Sequence, residues 1–174
     1  VLRFPAREDL RPTPDRVRET LFNWLGQDLT GLTCLDLYAG SGALGFEALS
    51  RGASLVVMVE RDVAAVRCLR ENASLLQLTA VEIAPGDALE FLRGDRRRFD
   101  VVFLDPPFKK TDYPMLLALV GDHLSPGGLL YVEAPDRLAS PAGWSLLRHL
   151  QAGHVHAHLM QARHDEESGL SGNV

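Results

Sequence analysis

At 174 residues the chain has room for one domain with a real core and too little length for two of ordinary size. Hydrophobic residues at 46% and charged residues at 24% exclude a disordered composition. No apolar run approaches the roughly 20 residues needed to span a bilayer, and no signal-peptide pattern is visible. A net charge of −5 argues against a general polyanion binder. The two cysteines, Cys34 and Cys68, lie in apolar surroundings and read as small buried hydrophobes. A cytoplasmic location without membrane contact is the expectation.

In chain order, residues 1–14 carry three prolines and alternating charge and read as an extended arm. A helix is predicted from Thr13-Pro14-Asp15, where Thr13 or Asp15 can cap, Pro14 suits a first turn and Glu19 supplies an early acid. Val17, Thr20, Leu21, Trp24 and Leu25 give it one apolar face, and Gly26 stands near its end. Strand-like runs follow at Thr33–Tyr38, Leu55–Glu60, Val81–Ala84, Val101–Asp105 and Leu129–Glu133. Helical stretches fall between them near residues 43–50, 62–76, 87–92 and 113–123. Ser125-Pro126-Gly127-Gly128 reads as a turn before the fifth strand, and residues 144–150 and 154–162 as a final antiparallel pair turning at Gly153.

Apolar strands alternating with helices imply a mostly parallel α/β sheet, covered on both faces, of about seven strands with an antiparallel C-terminal edge. We expect residues 1–26 to form an arm and helix packed on the domain of residues 27–174. Ligands of such sheets bind beyond the C-terminal strand ends, where strand order reverses. Asp36, Glu60, Asp87 and Asp105 all fall at or just after such ends.

Leu35–Gly45 ends one strand and opens a helix, and within it Gly40, Gly42 and Gly45 form a G-x-G-x-x-G. With Glu60 ending the next strand, that pattern alone fits a dinucleotide site. Asp36 argues against it, because a carboxylate four residues before Gly40 would repel a pyrophosphate. S-adenosylmethionine carries an ammonium and a sulfonium and no phosphate, so an acid beneath the loop attracts it. Tyr38, Ala39, Gly40 and Gly42 are then expected to line the cofactor. Glu60 would hold the ribose with Arg61 beside it, and Asp87 would accept from the adenine amino group with Ala88 packed nearby. The bland alternative for Asp36 and Asp87 is the capping of local turns.

Asp105-Pro106-Pro107-Phe108 ends the fourth strand. Two prolines remove backbone donors and hold the chain extended, leaving carbonyls outward. A base amino nitrogen is a poor nucleophile, since its lone pair is delocalised into the ring. A carboxylate and a carbonyl that accept its two hydrogens aim that lone pair at a methyl group. Phe108 can stack on an extruded base. Neither cysteine is near, which argues against methylation of a pyrimidine carbon through a covalent adduct.

The chain resembles the bacterial 16S ribosomal RNA guanine-N2 methyltransferase family known as RsmD. The resemblance is carried by Arg11–Phe22, Leu35–Arg51 and Val102–Phe108. The last motif is shared with adenine-N6 DNA methyltransferases, so it is Arg11–Phe22 that selects the family. The resemblance implies a Rossmann-like class I S-adenosylmethionine methyltransferase acting on the N2 of one guanine in small-subunit RNA. The net charge of −5 leads us to expect that RNA within a small-subunit particle, and the lack of a long exposed apolar face leads us to expect a monomer. The resemblance also implies that Arg11, Thr13 and Arg16 border the pocket, Thr13 toward the cofactor and the two arginines toward the RNA. Family members ordinarily begin with a basic, glycine-containing strand pair, whereas this chain starts at Val1 almost directly in the arm.

Residues 93–110 hold six cations against three carboxylates, and they include the only lysines in the chain, Lys109 and Lys110. The functional reading of this stretch is a phosphate-contacting rim beside the site, and the alternative is a solvated loop. His154, His156 and His158 alternate, with Val155, Ala157 and Leu159 opposite, and read as a solvated strand face with no metal. Asp165-Glu166-Glu167 begins a loose acidic tail.

Overall fold

The computed structural model describes residues 15–163. Its elements in chain order are α1 (Asp15–Trp24), β1 (Thr33–Asp36), α2 (Ala43–Ser50), β2 (Leu55–Glu60), α3 (Val63–Leu75), β3 (Val81–Pro85) and α4 (Ala88–Gly94). They continue with β4 (Phe99–Leu104), a 3₁₀ turn (Phe108–Lys110), α5 (Tyr113–Gly121), β5 (Leu124–Ala134), β6 (Trp144–Ala152) and β7 (Val155–Ala162). The arm, the cap of α1 and the acidic tail lie outside the described residues.

The strands form one sheet in the order β3-β2-β1-β4-β5-β7-β6. Pairings from β3 through β5 are parallel, and β7 is antiparallel to both β5 and β6. Strand alternation splits the core into two layers. Cys34, Val56, Met58, Phe103 and Tyr131 face one side, under Leu21 and Phe22 of α1, Phe46 of α2 and Leu69 of α3. Leu35, Val57, Val102, Leu104 and Leu130 face the other, under Leu92 of α4 and Leu116 and Val120 of α5. Each central strand is therefore buried on both faces, which is why its sequence runs apolar without a polar alternate.

After β2 and β3 have been laid on one side of β1, the chain returns through α4 to place β4 on the other. Strand order thus reverses between β1 and β4, and the crevice beyond their C-terminal ends is where this topology seats ligands.

Two local expectations need correction. Ser125–Gly128 is not a turn ahead of β5 but an excursion within it, since Phe99 pairs with Leu124 while Val101 already pairs with Leu129. The surplus residues bow out at Gly127, whose φ is +75°, and the strand resumes in register.

The histidine alternation does not give a solvated face. His154 lies in the β6–β7 turn and is exposed, whereas His158 is fully buried. The segment after β5 folds over that face, so that the Leu138 N–H donates to His158 Nε2 at 3.0 Å while Nδ1 donates to the Val132 carbonyl at 3.2 Å. Burial lowers the His158 pKa to about 4 and keeps the ring neutral. His149, directly across from His158, stacks on His156 with ring centroids 5.1 Å apart. No group of three or more metal-ligating side chains occurs among the described residues.

Candidate active site

Register places the acids. Asp36 on β1 pairs with Phe103 on β4, which pairs with Tyr131 on β5. Two residues further along the last two strands stand Asp105 and Glu133, on the same sheet face as Asp36. Three carboxyls from three adjacent strands therefore meet at the switch point, on the face covered by α1 and α2.

Asp36 is 2% exposed, and its carboxyl accepts the N–H groups of Gly45 and Tyr38. Burial pushes its pKa up to about 7; the Gly45 hydrogen bond opposes this and the Glu60 charge adds to it. The side chain thus ties the glycine loop to the strand it leaves, and it acts on any ligand above it through its field. Gly42 caps α2 with φ +82°, and a Cβ there would stand 2.5 Å from the Phe46 ring and 2.6 Å from Leu69. Gly45 brings α2 close against β2, since a Cβ would lie 2.5 Å from the end of Met58.

Glu60 reaches the loop from the neighbouring strand. One carboxyl oxygen accepts the Gly40 N–H at 2.8 Å and the other accepts the Asp62 N–H at 2.8 Å. The Ala39 N–H donates to the Val59 carbonyl at 3.0 Å, so the loop is stitched to β2 by both backbone and side chain. Asp87 caps α4, its Oδ1 accepting from Leu89 at 2.9 Å and Glu90 at 3.1 Å, with Ala88 buried beneath. Half-buried Tyr38 has its hydroxyl pKa raised by burial and by the Asp87 charge, while Arg61 opposes the shift. Tyr38, Arg61 and Asp87 therefore surround one end of the crevice.

Asp105 occupies the other end. Burial, then the Glu133 charge and a hydrogen bond shared with the Glu133 carboxyl, then the Asp36 charge, hold its pKa well above the ordinary carboxylate range. The Tyr131 hydroxyl donates to Glu133 Oε1 at 2.7 Å, and the Tyr113 hydroxyl donates to the Glu133 carbonyl at 3.1 Å. Pro106 is buried, Pro107 exposed and Phe108 part-buried at the start of the 3₁₀ turn. The Thr111 hydroxyl donates to the Pro107 carbonyl at 2.5 Å, which fixes the curl of that turn.

The family model described as "Conserved hypothetical protein 95" matches residues 1–161. The chain belongs to this family. Among its relatives, "Ribosomal RNA small subunit methyltransferase D" of Haemophilus influenzae is 42% identical over 88% of this chain and 84% of its own length. The Escherichia coli K12 protein of the same name is 40% identical over 94% of this chain and 85% of its own. The solved structure of yhhF from Escherichia coli superposes with a TM-score of 0.82, covering 91% of this chain and 90% of that one at 40% identity. The seven-stranded architecture is that of a class I methyltransferase.

Against the family's expected site, the structure gathers Asp36, Tyr38, Ala39, Gly40, Gly42, Glu60, Arg61, Asp87, Ala88 and Asp105–Phe108 around one crevice. Lys109 and Lys110 stand exposed on its rim. Arg16 is exposed on the first turn of α1, and Arg11 and Thr13 fall outside the described residues. The basic stretch does not hold together. Arg93 to Arg98 precede β4 and Lys109 follows it, and six strand residues separate the two by about 20 Å. Arg97 is further committed to Glu82 at 2.8 Å and Asp95 at 2.7 Å. Only the two lysines belong to the crevice.

Sequence reasoning missed Glu133, Tyr131 and Tyr113. Glu133 carried the same signal as the acids it found, a carboxyl at the end of an apolar strand run. The tyrosines carried none, because their roles depend on what β5 and α5 lie against. Cys34 is buried with its pKa pushed up to about 12, first by burial and then by the Asp100 and Asp36 charges, which leaves it an unreactive thiol.

Proposed function

We propose that this chain is an S-adenosylmethionine-dependent N-methyltransferase that methylates the exocyclic N2 of a guanine in 16S ribosomal RNA. The observation that carries the reading is the convergence, across the switch point, of an acid-floored glycine loop on β1 with Asp105-Pro106-Pro107-Phe108 on β4. The names of relatives at 40% and 42% identity add the ribosomal substrate.

The residues present suit this cofactor. Asp36, Asp105 and Glu133 form an acidic floor, and no Lys, Arg or His is among the charges acting on Asp36 or Asp105. A ligand bearing positive charge relieves that floor, and a pyrophosphate would aggravate it. Glu60 retains acceptor capacity for ribose hydroxyls beyond its two backbone bonds, and Asp87, whose Oδ1 takes the two N–H groups of α4, would accept from the adenine amino group through Oδ2. When bound, the cofactor supplies an electrophilic methyl group on a sulfonium.

Asp105 and the Pro106 carbonyl accept the two amino hydrogens, the Pro107 carbonyl being occupied by Thr111. So held, the nitrogen lone pair would be aimed at the methyl group that the bound cofactor would supply, the electron pair of the broken carbon–sulfur bond remaining on sulfur. The surplus proton on nitrogen then passes to Asp105. Phe108 stacks on the extruded base, and Lys109 and Lys110 meet neighbouring phosphates. The family resemblance assigns Arg11 and Arg16 to the RNA and Thr13 to the cofactor. We take the enzyme to be a cytoplasmic monomer acting on a small-subunit particle. No described helix is long and apolar enough to cross a membrane.

The test is mass spectrometry of 16S RNA from cells lacking the gene. One N2-methylguanine is expected to disappear, to return with the wild-type gene, and to stay absent with Asp105→Ala. An unchanged set of methylguanines overturns the reading. Methyl incorporation into 30S particles, protein-free 16S RNA and duplex DNA, compared directly, separates guanine N2 from the adenine-N6 alternative.

A further inference from the structure

Nothing in the transfer just described uses Glu133, yet it is 4% exposed and stands directly beside the side chain that would do the chemistry. Leu104 pairs with Val132, and the two acids come next along β4 and β5 with their carboxyls in contact. Two carboxylates cannot hold such a contact, because neither has a hydrogen to donate and their charges repel. The contact therefore requires one proton between them. The charges that act on Asp105 are those of Glu133 beside it and Asp36 on β1, neither of them positive. Tyr113 from α5 and Tyr131 on β5 face the same two acids. Tyr131 donates to Glu133 Oε1 and so braces the Glu133 carboxyl beside Asp105. The Tyr113 bond to the Glu133 main chain holds the strand end in place beneath.

We propose that Glu133 is a positioning residue for methyl transfer, sharing one proton with Asp105 and so fixing the Asp105 carboxyl toward the acceptor nitrogen. The inference rests on the reading of Asp105 given above. An Asp side chain at a strand end has two free torsions, and in-line methyl transfer tolerates little misalignment. A hydrogen bond from Glu133, braced by Tyr131, removes that freedom and keeps the outer oxygen ionised as an acceptor. The pair also sets a pH window. With both carboxyls protonated, Asp105 cannot receive a proton; with neither protonated, the bond that orients it is lost.

The experiment compares Glu133→Leu, Glu133→Gln and Asp105→Ala in single-turnover methylation of small-subunit particles. Cofactor affinity by calorimetry and thermal melting are followed in parallel. Glu133→Leu removes the hydrogen bond, and kcat is expected to fall roughly 100-fold with KM for the particle unchanged. Glu133→Gln offers an N–H toward Asp105 and an oxygen toward the Tyr131 hydroxyl, so it should recover most of that loss. Having no proton to lose, it should also abolish the decline in rate at alkaline pH. Infrared difference spectra of the cofactor-free protein at neutral pH should lose protonated-carboxyl intensity in Glu133→Gln, a readout that survives if the leucine variant does not fold. Full activity in Glu133→Leu, an unchanged alkaline limb in Glu133→Gln, or an unchanged carboxyl band overturns the proposal. Should Asp105→Ala retain activity, the underlying reading fails instead; loss in Asp105→Ala beside full activity in Glu133→Leu refutes only the shared proton.

Discussion

Replacing Asp36 with Asn should stabilise the cofactor-free protein at alkaline pH while weakening its hold on the cofactor. Asn keeps the volume and one acceptor oxygen for the loop N–H groups but carries no charge. In the folded protein the Asp36 pKa stands at about 7 against an ordinary 3.8. The folded state therefore binds the proton more tightly than the unfolded one, and ν for the unfolded chain is the smaller of the two. The associated stability is fully present below about pH 3.8 and is lost as pH rises through about 7. At 1.36 kcal/mol per pH unit, the loss is about 4 kcal/mol as an order of magnitude. Because Asp36 is 2% exposed, solvent does little to screen it. For a domain of this size that is roughly 10 °C in Tm. The assay is thermal melting of wild type and Asp36→Asn from pH 4 to pH 8, without ligand. The difference between them should move in favour of Asn across that range, and saturating S-adenosylmethionine should reverse it by rescuing only the wild type. A Tm difference that does not change with pH would refute the claim that the carboxyl is buried without a compensating cation.

Three further outcomes follow from particular contacts. Glu60→Ala leaves the Gly40 and Asp62 N–H groups without their acceptor, and calorimetry should show cofactor affinity falling roughly ten- to a hundred-fold, with Glu60→Gln intermediate. His158→Ala strands the Leu138 N–H and the Val132 carbonyl, and denaturant unfolding should register a loss of about 1–3 kcal/mol. The buried neutral His158 contributes stability above about pH 6.5 that disappears as pH falls toward 4, so the variant should also melt with a flatter acid limb. Phe22→Ala empties a site with no exposure, against Phe103 at 6.0 Å between centroids, and urea unfolding should show about 3–5 kcal/mol lost.

What could be read from the sequence was whatever depends on neighbours along the chain. Leu55–Glu60 and the helix over residues 43–50 match the structure at both ends, because apolar runs, glycines and caps are local signals. Asp36, Glu60, Asp87 and Asp105 were found together because one rule, an acid at the C-terminal end of a parallel strand, selects all four. What was missed depends on neighbours in space. The alternation of His156 and His158 told that they share a face, but only the fold shows that the Leu138 segment covers it. Nearness in sequence grouped Arg96 to Arg98 with Lys109, although the intervening strand carries them to opposite ends of the sheet. Glu133 was visible as a strand-end acid; that it meets Asp105 follows from the register of β4 with β5, which no single segment encodes.

The distribution of charge ties these points together. The crevice has an acidic floor in buried Asp36 and Glu133 and part-buried Asp105, and an exposed cationic edge in Lys109 and Lys110. The chain as a whole, these groups included, carries a net charge of −5. A floor of this kind favours a positively charged ligand, and the proposed transfer would remove one of the cofactor's two cationic groups. The demethylated product would keep its ammonium but not the sulfonium, and so would relieve the acids less. Among the described residues the proposed phosphate contacts are Arg16, Lys109 and Lys110, and each phosphate neutralised adds about one unit to the salt slope. At the crevice itself, phosphate attraction is confined to the two lysines on the rim, beside stacking at Phe108. Product affinity should accordingly be lower than cofactor affinity by a margin that shrinks in Asp36→Asn, whereas the salt dependence of particle methylation should stay shallow and should flatten further when Lys109 and Lys110 are both replaced.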